Sequence, residues 1–285
     1  MIAVTGATGQ LGRLVINALL KKVPASEIIA AVRNPEKAHD LAALGVQIRK
    51  ADYSQPATLD TAFQGVDKLL LISSSEVGQR IAQHSAVIAA AKRAGVKLLA
   101  YTSLLHADKS PLGLGEEHRA TEALLRESGL PVVLLRNGWY TENYAASIAP
   151  ALAHGAFIGA VAEGRIASAA REDYAEAAAV VLTQGNQAGK VYELAGDDIY
   201  TLAEFSAEIA RQSGKPVVYH DLSEADFKQA LLGAGLPDVF ASLLADSDAG
   251  AAKGGLFDDS HTLSKLIGRP TTPYADVIAA TLATR

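Results

Sequence analysis

Three glycines stand first among the residues that could do chemistry. Gly6, Gly9 and Gly12 are spaced evenly in the run Gly6-Ala7-Thr8-Gly9-Gln10-Leu11-Gly12, which follows the apolar stretch Ile2 to Thr5 and leads into the amphipathic stretch Leu11 to Leu20. Between a strand and a helix, such a run lets the backbone approach a pyrophosphate, which helix amides and the positive end of the helix dipole then hold. Each glycine answers a separate need: Gly6 a tight turn, Gly9 the approach of phosphate, and Gly12 close packing of helix on sheet. Gly6, Ala7, Thr8, Gly9, Gln10, Leu11 and Gly12 are therefore expected to bind a dinucleotide.

The end of the next apolar run indicates which dinucleotide. In Ile28-Ile29-Ala30-Ala31-Val32-Arg33 an arginine stands where NAD-binding folds carry an acid for the ribose 2′-hydroxyl. A guanidinium suits a 2′-phosphate, to which it offers charge-assisted, bidentate hydrogen bonds, and Lys37 adds positive field. NADPH is the expected cofactor. Ser73, Ser74 and Ser75 close a later run, followed by Glu76, and are expected to face its ribose and nicotinamide. Asp52 either reaches the adenine edge or caps the turn before Ser54 and Pro56.

Positioning these residues requires a scaffold whose strands end together. Short aliphatic runs recur at Ile2 to Thr5, Ile28 to Arg33, Val46 to Lys50, Lys68 to Ile72, Val96 to Thr102 and Val132 to Arg136, separated by helix-like segments. They are apolar on both faces, as parallel strands covered by helices on each side must be. The expected class is α/β, a doubly wound parallel Rossmann sheet with a smaller, mostly helical C-terminal cap. Residues 1–136 read as the NAD(P)-binding domain, with a further sheet strand near 191–195. Residues 137–285 read as mainly a substrate-side cap with a discontinuous boundary, and the stretch from Asp197 onward reads as too small for an independent core of much stability. The segments 137–144 and 155–164 read as irregular. Thr201 should cap a helix ending near Gly214, with a short strand at Val217 to His220.

Composition closes off other chemistries. Hydrophobic residues make up 49% of the 285 and charged residues 20%, the balance of a folded chain. Lys plus Arg number 26 against 31 Asp plus Glu, so the net charge of -5 lacks the basic excess that nucleic acid binding draws on. Zero cysteine removes disulfides, thiolate metal sites and Cys nucleophiles. No apolar run approaches the about 20 residues of a membrane span, and no charged leader precedes the first strand. No nucleic acid partner, no membrane insertion and a cytoplasmic location are expected. No HExxH occurs among the seven histidines. Asp246 to Gly250 has a calcium-loop look, but Phe257 stands where the twelfth-position Glu is needed, so it reads as a solvated turn and no metal site is expected.

One expected group is missing. A short-chain dehydrogenase acting on alcohols pairs a Tyr with a Lys four residues on, whose charge lowers the phenol's pKa. None of the nine tyrosines is followed by Lys at that spacing, and the helix where the pair would be sought begins His118-Arg119-Ala120-Thr121-Glu122. The chemistry reads as nicotinamide chemistry without a strong dedicated proton donor.

The glycine run, Arg33, Tyr101-Thr102-Ser103, His118-x-x-x-Glu122, Ser128-Gly129-Leu130-Pro131, Arg136-Asn137-Gly138 and Leu266-Ile267-Gly268-Arg269-Pro270 together resemble the NmrA-like atypical short-chain dehydrogenase/reductase group over most of the chain. The resemblance is greatest to its flavin-free, quinone-reducing bacterial members. It implies two-electron reduction of a small-molecule quinone to the hydroquinone by direct hydride transfer from NADPH, which suits the missing Tyr-Lys pair because a quinone accepts hydride unaided. It assigns Asn137, Gly138, Trp139, Tyr140 and Thr141 to the cofactor, and Asn143 with Tyr140 or Tyr144 to the quinone. His118 is a candidate catalytic group or an orienting residue of its helix, and Trp139 is alternatively a core residue. Two other activities stay open: an NADP(H)-binding redox sensor without turnover, and reduction of triarylmethane-type dyes.

Arg33→Ala is expected to weaken NADPH binding roughly 10- to 150-fold and to leave NADH nearly unchanged, as cofactor titration would measure. Equal losses for both cofactors would remove the assignment of Arg33.

Overall fold

The computed structural model describes residues 1–76 and 78–284. Strand β1 (Ile2–Thr5) lies between β2 (Ile28–Val32) and β4 (Lys68–Leu71) and runs parallel to both, with Val4 opposite Ala30 on one side and Leu70 on the other. Beside β2 lies β3 (Gln47–Lys50); beyond β4 come β5 (Leu98–Leu104), β6 (Val132–Asn137) and β8 (Val191–Leu194), giving the order β3-β2-β1-β4-β5-β6-β8. Every residue of β1 and β2 is buried, as strands covered on both faces require. The order turns back between β1 and β4, and there an open parallel sheet leaves a crevice at its carboxyl ends. Thr5 ties the two strand ends together: its hydroxyl donates to the Leu70 carbonyl and accepts from the Ile72 amide, both at 3.1 Å.

Local signals account for many helix ends. Leu11, Val15, Ile16 and Leu19 form the buried stripe of the helix Gln10–Leu20. Pro56 opens the helix Pro56–Ala62, and Gly95, at φ +69°, closes Arg80–Ala94. Thr201 and Glu204 form a reciprocal capping box on Leu202–Ser213, which Gly214 ends.

The chain divides into two compact units. The first comprises Met1–Ser103, Glu117–Arg136 and Glu172–Tyr192; the second comprises Leu104–Glu116, Asn137–Arg171 and the chain from Glu193 onward. The first unit's core gathers Ile29, Phe63, Leu71, Val87, Leu99 and Tyr101. The second unit has a core of its own, to which the stretch from Asp197 onward contributes together with residues from 104 to 170. Phe157, Tyr200 and Phe205 are almost wholly buried, and the Phe205 ring lies 5.6 Å from Phe157, 5.5 Å from Tyr200 and 6.1 Å from Tyr144. These aromatics are spread over some sixty residues of sequence, so no local periodicity announces their cluster.

Two further readings are corrected in this unit. The stretch 155–164 contains a strand, β7 (Ala156–Gly159), paired in parallel with β9 (Val218–Asp221) so that Phe157 faces Tyr219. Asp246 to Gly250 is not a solvated turn but part of the helix Asp238–Ala252. Its carboxylates bind backbone amides instead: Asp246 accepts from Gly113 at 2.7 Å and buried Asp248 from Ala160 at 2.9 Å. Among the described residues, no helix is long and apolar enough to cross a membrane.

Within the first unit, a buried ion pair ties Glu122, on the helix Leu114–Glu127, to the ends of β5 and β6. Arg136 meets Glu122 through Nε at 2.9 Å and Nη2 at 2.8 Å, and the Ser103 hydroxyl donates to the same carboxylate at 2.6 Å. Removing one partner strands a buried charge, so Glu122→Ala is expected to cost about 3–5 kcal/mol in urea unfolding. A loss below about 1 kcal/mol would show that water screens the pair.

Candidate functional site

The crevice at the end of β1 holds a cavity of about 590 Å³. Its wall combines the glycine turn (Gly6, Thr8, Gly9, Gln10, Leu11, Gly12), Arg33 after β2, Ala51 to Ser54 after β3, Ile72 to Glu76 after β4, and Gln83. All belong to the first unit. Four neighbouring strands deliver their ends to one place because they are parallel.

The turn's geometry allows only glycine at two points. Gly6 has φ +58° and accepts the Gly9 amide at 2.9 Å. A Cβ on Gly12 would stand 2.4 Å from the Gly6 carbonyl oxygen and 2.7 Å from the Ala7 Cα, both backbone atoms that cannot yield. Ala7 is itself fully buried under this contact and stands behind the wall. The helix Gln10–Leu20 starts at Gly9 with no side-chain cap and no acid in its first turn. Its positive end is thus presented to the cavity uncompensated, which fits the pyrophosphate of a dinucleotide. Arg13, which spacing did not single out, staples the turn: Nε donates to Thr8 O at 3.2 Å, Nη2 donates to Lys37 O at 2.9 Å, and Nη1 pairs with Asp40.

Arg33 reaches across the wall, its Nη1 2.8 Å from Glu76 Oε1, while Gln83 Nε2 donates to Glu76 Oε2 at 2.7 Å. Of the two readings for Asp52, the cap is realised. One oxygen accepts from the Ser54 amide and hydroxyl at 3.0 and 2.6 Å, the other from Gln55 at 3.0 Å, and the Ser54 hydroxyl bond holds its carboxyl below the usual range.

The serine segment is held from behind by buried side chains. The Ser73 amide donates to Thr102 Oγ1 at 2.8 Å and the Ser74 amide to His84 Nε2 at 2.9 Å; Arg80 Nε donates to the Ser74 carbonyl while its Nη1 meets Glu117 at 2.8 Å. None of these supporting residues is adjacent in sequence to the serines, so no motif points to them.

In the second unit, the remaining predicted residues fall into distinct surroundings. Half-buried Tyr140 lies under Arg171, whose guanidinium carbon is 4.5 Å from the ring centre, and Asn143 Oδ1 accepts from Arg171 Nη2 at 3.3 Å. Glu142 fixes the segment by accepting the Arg171 amide at 2.9 and 3.1 Å. Tyr144 points elsewhere, into the aromatic core, where its hydroxyl lies 3.4 Å from Asp248. Burial, then the Asp248 charge, push this phenol well above its ordinary value; burial also raises Tyr140. Trp139 packs in the core, Thr141 is fully buried with its hydroxyl 2.8 Å from Ser168, and Asn137 is buried with its Oδ1 lacking a hydrogen-bond partner. Gly138 donates its amide to Leu194 at 2.7 Å.

A profile of the NmrA-like family matches residues 1–265. The chain belongs to the NmrA-like family. It is 63% identical over 279 residues to quinone oxidoreductase 2 of Escherichia coli (strain K12), covering 98% of each chain. A crystal structure of the NADPH-dependent quinone oxidoreductase from Escherichia coli in complex with NADPH is similar with a TM-score of 0.97 and 63% identity, covering 99% of this chain and 100% of that one. Triphenylmethane reductase of Citrobacter sp., complexed with NADP(H), is similar with a TM-score of 0.94 and 41% identity, covering 99% of this chain and 100% of that one.

Two histidines in this NmrA-like chain are neutral by construction. His84 accepts the Ser74 amide on Nε2, so Nδ1 carries the proton and donates to Thr121 Oγ1 at 2.9 Å; burial, then the Arg80 charge, lower its pKa to about 4. His118, 4% exposed, meets the Tyr101 hydroxyl at 2.7 Å through Nδ1 and stands outside the cavity wall. Burial, then Arg80 and His84, lower it to about 3. A base with a lowered folded pKa binds fewer protons folded than unfolded, so its contribution to stability is complete above the unfolded value of 6.5 and is lost as pH falls toward 4. Asp248, raised to about 6 by burial, has the opposite sign, since the folded state holds its proton longer. Imidazole NMR signals of His84 and His118 are expected not to titrate between about pH 7 and about pH 5.5. A midpoint above about 6 for either would contradict this hydrogen-bond assignment.

Proposed function

We propose that the chain is an NADPH-dependent reductase of quinones. The observation that carries this reading is Arg33 at the mouth of a cavity whose glycine turn presents an uncapped helix, in a chain similar over nearly its whole length to a quinone oxidoreductase. NADPH bound there supplies a hydride and its electron pair to a quinone, which leaves as hydroquinone after protonation.

The chain's own residues hold and orient. The first-turn amides of Gln10–Leu20 take the pyrophosphate, Arg33 the 2′-phosphate, and Ser73 to Ser75, fixed by Thr102, His84 and Arg80, the ribose and nicotinamide. Asn137 to Thr141 are assigned to the cofactor in the same reading, supported by the buried Asn137 Oδ1 that lacks a partner. Trp139 and Thr141 serve this segment through packing. Asn143 and Tyr140, sharing Arg171, are assigned to the quinone, and Tyr144 supports them from the core. Protons for the hydroquinone follow from water or a nearby weak donor: burial makes the phenols of Tyr140 and Tyr144 weaker acids than usual, and His118 is neutral at neutral pH. The likeness to triphenylmethane reductase favours triarylmethane dyes as a second class of acceptor, since their cationic carbon also takes a hydride.

Purified protein is expected to consume NADPH, followed at the nicotinamide absorbance band, when benzoquinone or naphthoquinone is added, with one hydroquinone formed per NADPH. Cofactor binding without consumption across several quinones and dyes would favour a redox sensor.

A further inference from the structure

We propose that Glu76 tunes the cofactor preference of the pocket by contesting Arg33 with the 2′-phosphate of NADPH, an inference that rests on the assignment of Arg33 to that phosphate. Arg33 is 73% exposed at its side chain and meets Glu76 Oε1 at 2.8 Å. Gln83 holds the other carboxylate oxygen at 2.7 Å, and all three residues stand in the cavity wall. The second carboxylate of that wall, Asp52, is committed to Ser54 and Gln55. Glu76 is therefore the acid paired directly with the guanidinium, while Asp52, held by Ser54 and Gln55, acts on Arg33 only through its charge.

The carboxylate is not withdrawn by a simple backbone shift. Thr102 holds the Ser73 amide, His84 and Arg80 hold both backbone groups of Ser74, and the Ser74 hydroxyl accepts the Glu76 amide at 3.2 Å. Relief therefore comes from rotation of the exposed side chains, Glu76 or Arg33. An exposed carboxylate–guanidinium pair is weak, so a phosphate bearing close to two negative charges displaces it. The carboxylate then remains beside a group of like charge, at a cost to NADPH affinity. With NADH the same carboxylate is an asset, because an acid near the ribose accepts its 2′-hydroxyl as in NAD-binding folds. Arg33 and Glu76 thus pull the preference in opposite directions.

The test compares NADPH and NADH dissociation constants by fluorescence titration of the purified full-length chain, with thermal unfolding to confirm that each variant is folded. Glu76→Gln removes the charge and keeps an acceptor. It is expected to lower the NADPH Kd roughly three- to tenfold at low ionic strength and to change NADH by less than about twofold. The gain should shrink as salt is added. Glu76→Ala, which also removes the acceptor, is expected to keep the NADPH gain and to weaken NADH by about fivefold. NADPH binding that is unchanged or weaker in Glu76→Gln, or an equal gain for both cofactors, overturns the proposal. Arg33→Ala measured alongside separates the two levels. If it fails to discriminate against NADPH, the assignment of Arg33 falls; if it discriminates while Glu76→Gln does not, only the role of Glu76 falls.

Discussion

The contact between Gly12 and the backbone of Gly6 and Ala7 is the constraint on which the first unit's chemistry depends. A helix can aim its amino end at the carboxyl end of β1 only if its first turn lies close against the preceding turn, and a side chain at Gly12 would collide with the Gly6 carbonyl. Absence of a Cβ there sets the course of Gln10–Leu20, and the course sets where the uncapped amides point. Thr5 makes the same junction rigid on its other side by bridging to β4. The cavity is the space left when these two close contacts are satisfied at a point where the sheet changes direction.

Around that junction the protein spends buried polar groups on holding backbone. His84, Arg80 and Thr102 each meet a backbone atom of the Ser73 to Ser74 segment, and Glu117 in turn holds Arg80. Burying these groups is tolerable because each is paired, and it keeps His84 and His118 neutral. Such an arrangement favours precision of placement over acid–base power. That trade suits hydride delivery to an acceptor that needs no activation, and it agrees with a chain in which no Tyr is followed by a Lys four residues on.

Much of this was legible residue by residue. Runs apolar on both faces marked the parallel strands, and Pro56, Gly95, Thr201 and Gly214 marked helix ends through preferences that act within a few residues. The glycine turn and Arg33 could be singled out because each directly follows a strand, and both stand in the cavity wall. By contrast, β7 has four residues and gains its identity from β9, some sixty residues later. Asp246 to Gly250 carries the composition of a turn, yet amides at Gly113 and Ala160 satisfy its acids within a helix. Arg13, Gln83 and Arg171 work through partners that spacing cannot reveal.

The sequence by itself determined the family, the alternating architecture and the glycine turn between β1 and the first helix, because each depends on residue type and short-range order. Tertiary structure alone decided what each side chain is used for. It committed Asp52 to a turn, placed His118 behind the wall against Tyr101, sent Tyr144 into an aromatic core and brought Glu76 onto Arg33. The physical reason is that a side chain's charge state and partners are set by desolvation and by groups distant in the chain, which only folding brings within hydrogen-bonding distance.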